Sequence, residues 1–225
     1  MIIELNGLPG SGKTFFANYV KDKLKNENYK VINVSNSEKK LPIKTINKFV
    51  TELSFIIYSN NQDIKILLNK YNTKNAIYAK NINFSDYLKR LIYLKNFYSL
   101  YSTKKYILLF DEGIFQVITA MATDFNLTDS EIKQLIEYAD LVNKKIISIS
   151  YEINVNDCLN SITKRNRKIC DIDNLSHNKL IKMLNQYCVT LNYMKKFYKE
   201  FLVLKRNNDI KNNYSILKKE IDNLK

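Results

Sequence analysis

Eight residues near the start of this 225-residue chain, Gly7-Leu8-Pro9-Gly10-Ser11-Gly12-Lys13-Thr14, leave it few architectures to choose from. They hold three of the 4 glycines in the whole sequence. They follow Met1 to Asn6 (MIIELN), which reads as a short buried strand. They open an amphipathic helix expected from Lys13 to about Asn26, with Phe15, Phe16, Tyr19, Val20 and Leu24 on its apolar side. Glycine adopts backbone conformations closed to residues with a Cβ, so such a loop can turn successive N–H groups towards one point. The helix N-terminus adds about half a positive charge at the same place. Gly7, Pro9, Gly10, Ser11 and Gly12 would wrap a phosphate chain, Lys13 would reach the β- and γ-phosphates, and the Thr14 hydroxyl would ligate Mg2+. The implied ligand is a nucleoside triphosphate.

A second element supports the same chemistry. Lys105 to Asp111 (KYILLFD) is the clearest buried strand, and it ends in Asp111-Glu112-Gly113. A carboxylate closing a hydrophobic strand beside the first one can hold the Mg2+ shell, which makes Asp111 the metal-side candidate. Glu112 could polarise a nucleophile, help hold Mg2+ through water, or cap the helix that follows.

Further strands are expected at Lys30–Val34, Lys145–Tyr151 and Phe201–Leu204. Helices are expected over about 84–101, within 113–140, and at 155–163, 176–198 and 211–225. Thr128-Asp129-Ser130-Glu131 offers a cap. Strands that alternate with helices and are buried on both faces make a parallel α/β sheet. Residues 1–225 therefore read as one domain with a helical insertion at about 40–102 and a basic segment, Lys164-Arg165-Asn166-Arg167-Lys168, opening a stretch to about 175.

Composition removes several alternatives. Three cysteines without a Cys-x-x-Cys pair argue against a disulfide framework or a thiolate zinc site and suit a reducing, cytoplasmic setting. The longest apolar runs fall far short of the ~18 residues of a membrane span. A strand pattern running from Ile2 into the glycine-rich loop leaves no room for a leader peptide. The net charge of +14 admits a polyanionic partner such as nucleic acid. The favoured reading of that charge is compositional, because Lys, Asn, Ile and Tyr abound together as AT-rich coding produces. Arginine is scarce: Arg90, Arg165, Arg167 and Arg206 are the whole set. Where Lys is the default cation, an Arg marks a place that needs a planar fork.

Other phosphate-loop classes lack support. Asn143-Lys144-Lys145-Ile146 has no Asp and precedes its strand, unlike a GTPase base-reading motif. A Ser-Gly-Gly motif of the ABC kind cannot come from so few glycines, and a ring ATPase needs a lid domain for which little chain remains. In order of elements the chain resembles the P-loop nucleoside and nucleotide kinases, particularly the thymidylate-kinase-like branch. It carries Asp111-Glu112-Gly113 where that branch has Asp-Arg. The resemblance implies a P-loop NTPase three-layer sandwich with a five-stranded parallel sheet. It also implies ATP and Mg2+ as cofactors, transfer of the γ-phosphoryl to a small acceptor such as a nucleoside or nucleotide, and the homodimers common in that group.

The resemblance further makes Arg165 and Arg167 part of a closing lid, Arg90 a contact for the acceptor, Glu38 a general base, and Lys205–Asp209 a segment near adenine. The aromatic residues between Tyr58 and Tyr101 read mainly as core, and His177 as a surface or capping residue. The rival reading is a regulatory or switch ATPase, with Glu112 orienting water and a protein or nucleic-acid partner.

Overall fold

The computed structural model describes residues 1–34, 55, 61–101, 106–139, 146–165, 171–198 and 201–224. Its five strands are β1 (Ile2–Asn6), β2 (Val31–Asn33), β3 (Ile107–Phe110), β4 (Ile146–Glu152) and β5 (Leu202–Lys205). They form a single parallel sheet in the order β2-β3-β1-β4-β5. The three central strands are buried on both faces, as their apolar composition requires. Edge strand β5 alternates between sheltered and exposed residues.

Helices cover both faces. On one side lie α1 (Lys13–Asn26) and the C-terminal helix (Ile210–Asn223), which pack Phe16, Val20, Leu24, Leu217 and Ile221 against Ile3, Leu5 and Leu109. On the other lie α2 (Gln62–Tyr71), α3 (Phe84–Tyr101), α4 (Ile114–Phe125), α5 (Asp129–Ala139), α6 (Val155–Arg165) and α7 (His177–Phe197). The larger core sits on this side, built from Leu88, Leu91, Phe115, Ile118, Leu135 and Met194 among others. The C-terminal helix is α8. This three-layer α/β arrangement with helices between β2 and β3 is the expected one.

Several local expectations are met to within a residue or two. α3 spans Phe84–Tyr101 as read, and two helices fill the span after β3. Thr128 and Glu131 form a reciprocal cap at α5: Thr128 N–H donates to Glu131 Oε2 at 2.8 Å and Glu131 N–H to Thr128 Oγ1 at 3.4 Å. Tyr71, Tyr78, Phe84, Phe97 and Tyr98 are buried, as a core aromatic stripe should be.

Two expectations need correction. Phe15 is 71% exposed and belongs to the solvent side of α1, whose buried stripe is Phe16, Ala17, Val20 and Leu24. Helix α6 runs on through Arg165, so Lys164 and Arg165 form its last turn rather than a separate segment. Cations suit that end of the helix dipole, and nothing in Thr163-Lys164-Arg165 breaks a helix.

Sheet order determines where a site can form. β1 is followed by a helix on one face and β3, its neighbour, by a helix on the other. A crevice opens where adjacent strands send their connections to opposite faces, at the carboxyl ends of the strands.

Candidate active site

A cavity of about 880 Å3 lies at that crevice. One end of it is the 7–14 loop, the candidate phosphate seat. Gly10 and Gly12 have φ of +83° and +92°, the left-handed region that explains glycine at both. Gly12 caps α1 with no side-chain hydrogen bond, and the first turn holds no acidic residue. Amides at the start of α1 are therefore left for an anion, at the positive end of the helix. Two other amides of the loop are engaged within the protein: Gly7 N–H donates to Gln116 Oε1 at 3.1 Å and Ser11 N–H to Leu8 O at 3.1 Å. Pro9 lines the cavity and Ser11 is fully buried.

Lys13 Nζ donates to Gly7 O at 2.8 Å and to Leu8 O at 3.1 Å, so its ammonium spans the loop. Burial lowers its pKa to about 8, against the pull of Glu112, Cys158 and Asp111 in the other direction; Arg165 adds to the lowering. Thr14 Oγ1 donates to Asp111 Oδ2 at 2.9 Å, closing the 97-residue gap between the two metal-side candidates. A hydroxyl and a carboxylate oxygen converging beside a phosphate seat are hard ligands of the kind Mg2+ takes, so the residues present fit that ion.

Three of the four arginines line this one cavity. Arg165 lies against the loop, its Nη2 3.3 Å from where a Cβ on Gly10 would stand. Arg90 Nη2 donates to Glu112 Oε2 at 2.7 Å, so the helix α3 guanidinium and the strand-end carboxylate meet as an ion pair. Arg206, just past β5, donates to Gly10 O at 3.2 Å and to Ser161 Oγ at 3.0 Å, joining the loop to α6. Glu38 and Arg167 lie outside the described residues.

Sequence reasoning missed other members of the site. Gln116 and Tyr187 share the cavity and hydrogen-bond each other through Gln116 Nε2 and the Tyr187 hydroxyl. Neither carried a signal beyond its place on a helix. Tyr87, another lining residue, donates its hydroxyl to Asp124, whose other oxygen accepts from Tyr78 N–H at 2.9 Å. Arg206 was not missed, since it lies in the segment read as near adenine, but its contact with Gly10, 196 positions away, could not be read from the sequence. Burial pushes the Cys158 thiol up to about 12, away from the thiolate form that reacts. His177 is exposed at the start of α7.

The turn after β3 is tightly packed. A Cβ on Gly113 would stand 2.1 Å from Glu4 Oε2 and 2.7 Å from the Tyr98 hydroxyl, far inside contact distance. Gly113→Ala is therefore expected to lower stability by on the order of 1–3 kcal/mol through overpacking, read as a shifted midpoint in denaturant at unchanged slope.

Fold and cavity together define an α/β protein with the P-loop fold, its glycine-rich loop at the carboxyl end of β1. No protein-family model matches the sequence, and no curated protein matches it significantly. Among solved structures, the chain is similar to deoxyadenosine kinase from M. mycoides. With bound dATP that structure aligns at a TM-score of 0.54 and 14% identity, covering 99% of this chain and 100% of the other. The same enzyme with dCMP and dCDP aligns at 0.54 and 15%, and with dCTP at 0.52 and 15%, each with the same coverage. At such identities the likeness establishes the fold. Among the described residues, no helix is long and apolar enough to cross a membrane.

Proposed function

We propose that this protein is an ATP- and Mg2+-dependent kinase that moves the γ-phosphoryl of ATP to a small acceptor, a nucleoside or nucleotide. One observation carries the reading. A single cavity of about 880 Å3 joins the 7–14 loop, Asp111, Glu112 and three guanidinium groups, and is lined as well by Tyr87, Gln116, Val117, Ala120 and Tyr187. A hydrolase needs room for one water beside the γ-phosphate; a cavity of about 880 Å3 is larger than a nucleotide and one water would fill.

The roles follow from charge and position. Lys13 and the α1 amides hold the phosphates, while Thr14 and Asp111 are the residues that would hold Mg2+. When bound, that ion would supply positive charge against the phosphates. Arg165 and Arg206, both against Gly10, would meet charge on the transferred group, and Arg167 would join Arg165 in closing over it. The acceptor oxygen attacks the γ-phosphorus, the bond to the bridging oxygen breaks, and ADP leaves. The hydroxyl proton passes to a carboxylate, for which Glu112 and Glu38 are the candidates.

The Arg90–Glu112 pair favours a nucleoside over a nucleotide. Among the described residues of the cavity, Arg90 is the acceptor-side cation, and its charge is already matched by Glu112 at 2.7 Å. A neutral hydroxyl suits that balance better than a second phosphate does. The M. mycoides protein of similar fold is itself a nucleoside kinase.

The test is a transfer assay with γ-labelled ATP against a panel of nucleosides, nucleoside monophosphates and small alcohols. Label should appear on a nucleoside, with slow hydrolysis in the absence of acceptor. Hydrolysis indifferent to every acceptor and stimulated by a protein would overturn the reading.

A further inference from the structure

Glu4 stands in the middle of β1, the central strand, and is fully buried. A carboxylate in such a place costs several kcal/mol unless donors surround it. They do. Its Oε2 accepts from the Tyr98 hydroxyl at 2.7 Å and from Ile114 N–H at 2.9 Å, and its Oε1 accepts from Ser148 Oγ at 3.3 Å. Burial still pushes its pKa upward, against the hydrogen bonds that pull it down. Packing alone would be met by an apolar residue, as at Ile2 on the same face of the strand. The carboxylate must therefore provide something an apolar residue cannot.

What it provides is a cap for α4. That helix begins at Ile114 with Gly113 as its cap residue, and no local side chain accepts its first amides. Glu4 does so from 110 residues away and places an acceptor oxygen at the positive end of the helix. The consequence reaches the site. Asp111, Glu112 and Gly113 are slung between the end of β3 and the start of α4. The sheet anchors one end. Glu4 anchors the other, with Gly113 pressed onto its side chain. The loop 7–14 continues the strand that carries Glu4, so phosphate seat and carboxylate turn hang from one strand.

Resting on the kinase reading above, we propose that Glu4 is a positioning residue which, through the Ile114 amide, sets Asp111 where it can act on the metal of a bound nucleotide. Its role predicts a particular division of binding energy. Nucleotide held by the loop alone should be indifferent to Glu4, whereas the extra affinity conferred by Mg2+ should depend on it.

The experiment measures, by isothermal titration, the affinity of a non-hydrolysable ATP analogue with Mg2+ and with EDTA, in wild type, Glu4→Gln, Glu4→Leu and Tyr98→Phe. Melting temperature is recorded for each. In Glu4→Leu the Mg2+-dependent gain should fall about tenfold, the size seen when a partner orienting a metal ligand is lost, with metal-free affinity unchanged within about twofold. Glu4→Gln keeps an oxygen for Ile114 N–H and should recover most of the gain. Should Glu4→Leu fail to fold, Tyr98→Phe still removes one donor and should lower the gain less, in the same direction. Variants that fold and keep the full Mg2+-dependent gain, or that lose both affinities equally, would overturn the proposal as a purely structural role. A wild type that binds no nucleotide under either condition fails differently, by removing the kinase reading itself.

Discussion

Lys13→Met should abolish phosphoryl transfer and at the same time raise the melting temperature. Loss of the ammonium that faces the phosphates should lower kcat/KM by at least ~100-fold, the scale found when a charge-stabilising donor is removed. Stability moves the other way because that ammonium is buried at a cost. A Lys whose pKa falls from 10.5 to about 8 on folding carries a penalty of at most roughly 3 kcal/mol at neutral pH. The hydrogen bonds to Gly7 O and Leu8 O return about 1 kcal/mol each. Methionine fills a similar volume without a charge, so a net gain of about 1 kcal/mol, or a few degrees, remains.

The pH dependence has a definite sign. Folding lowers the Lys13 pKa, so below about pH 8 both states carry the proton and the penalty is complete. Between about 8 and 10.5 the unfolded chain holds more protons, wild-type stability gains relative to the variant, and the difference between the two melting temperatures narrows. Nucleotide affinity of the wild type should weaken over the same range as the free protein loses the ammonium. A variant that keeps its activity would remove the phosphate-loop assignment. One that is inactive but melts lower at pH 7 would show that the hydrogen bonds outweigh the buried charge.

Asp111→Asn should fall by roughly 100-fold in rate and recover in part as Mg2+ is raised. The amide can still accept from the Thr14 hydroxyl, now 2.9 Å from Asp111 Oδ2, so the turn should keep its shape. What it loses is the charge a hard cation wants. Rescue by Mg2+ separates this variant from Lys13→Met, whose defect lies with the phosphates and should not respond. Initial rates for both variants over a Mg2+ series, at saturating nucleotide, distinguish the two cases. An Asp111→Asn defect unmoved by Mg2+ would take Asp111 out of the metal site.

The sequence was most readable where a pattern is local. The phosphate loop announces itself because three glycines, a lysine and a threonine must follow one another at fixed spacing. Strand β3 is legible because burial on both faces leaves an unbroken apolar run, and β1 and β4 because apolar residues still dominate theirs. α3 is legible because its apolar positions recur with helical period. Phe15 shows how such reading errs: beside Phe16, the two share an apolar character but point to different sides, and only packing decided which one the core took. Glu4 could have been noticed, since a carboxylate amid Ile2, Ile3 and Leu5 breaks the strand's pattern, but its purpose could not.

By itself, then, the sequence determined the order of strands and helices, the parallel α/β class and the glycine-rich loop between β1 and α1, all of which depend on neighbours within a few residues. Tertiary structure set the register of β3 on β1, which brings Asp111 within 2.9 Å of Thr14 across 97 residues. It decided equally that Arg90 meets Glu112, that Arg206 ties Gly10 to α6, that Gln116 holds the Gly7 amide, and that Glu4 caps α4. The physical reason is common to all of them. Periodicity and propensity report which face of an element is apolar, but a polar side chain's partner depends on which elements the whole sheet sets side by side and on where each helix begins along its strand.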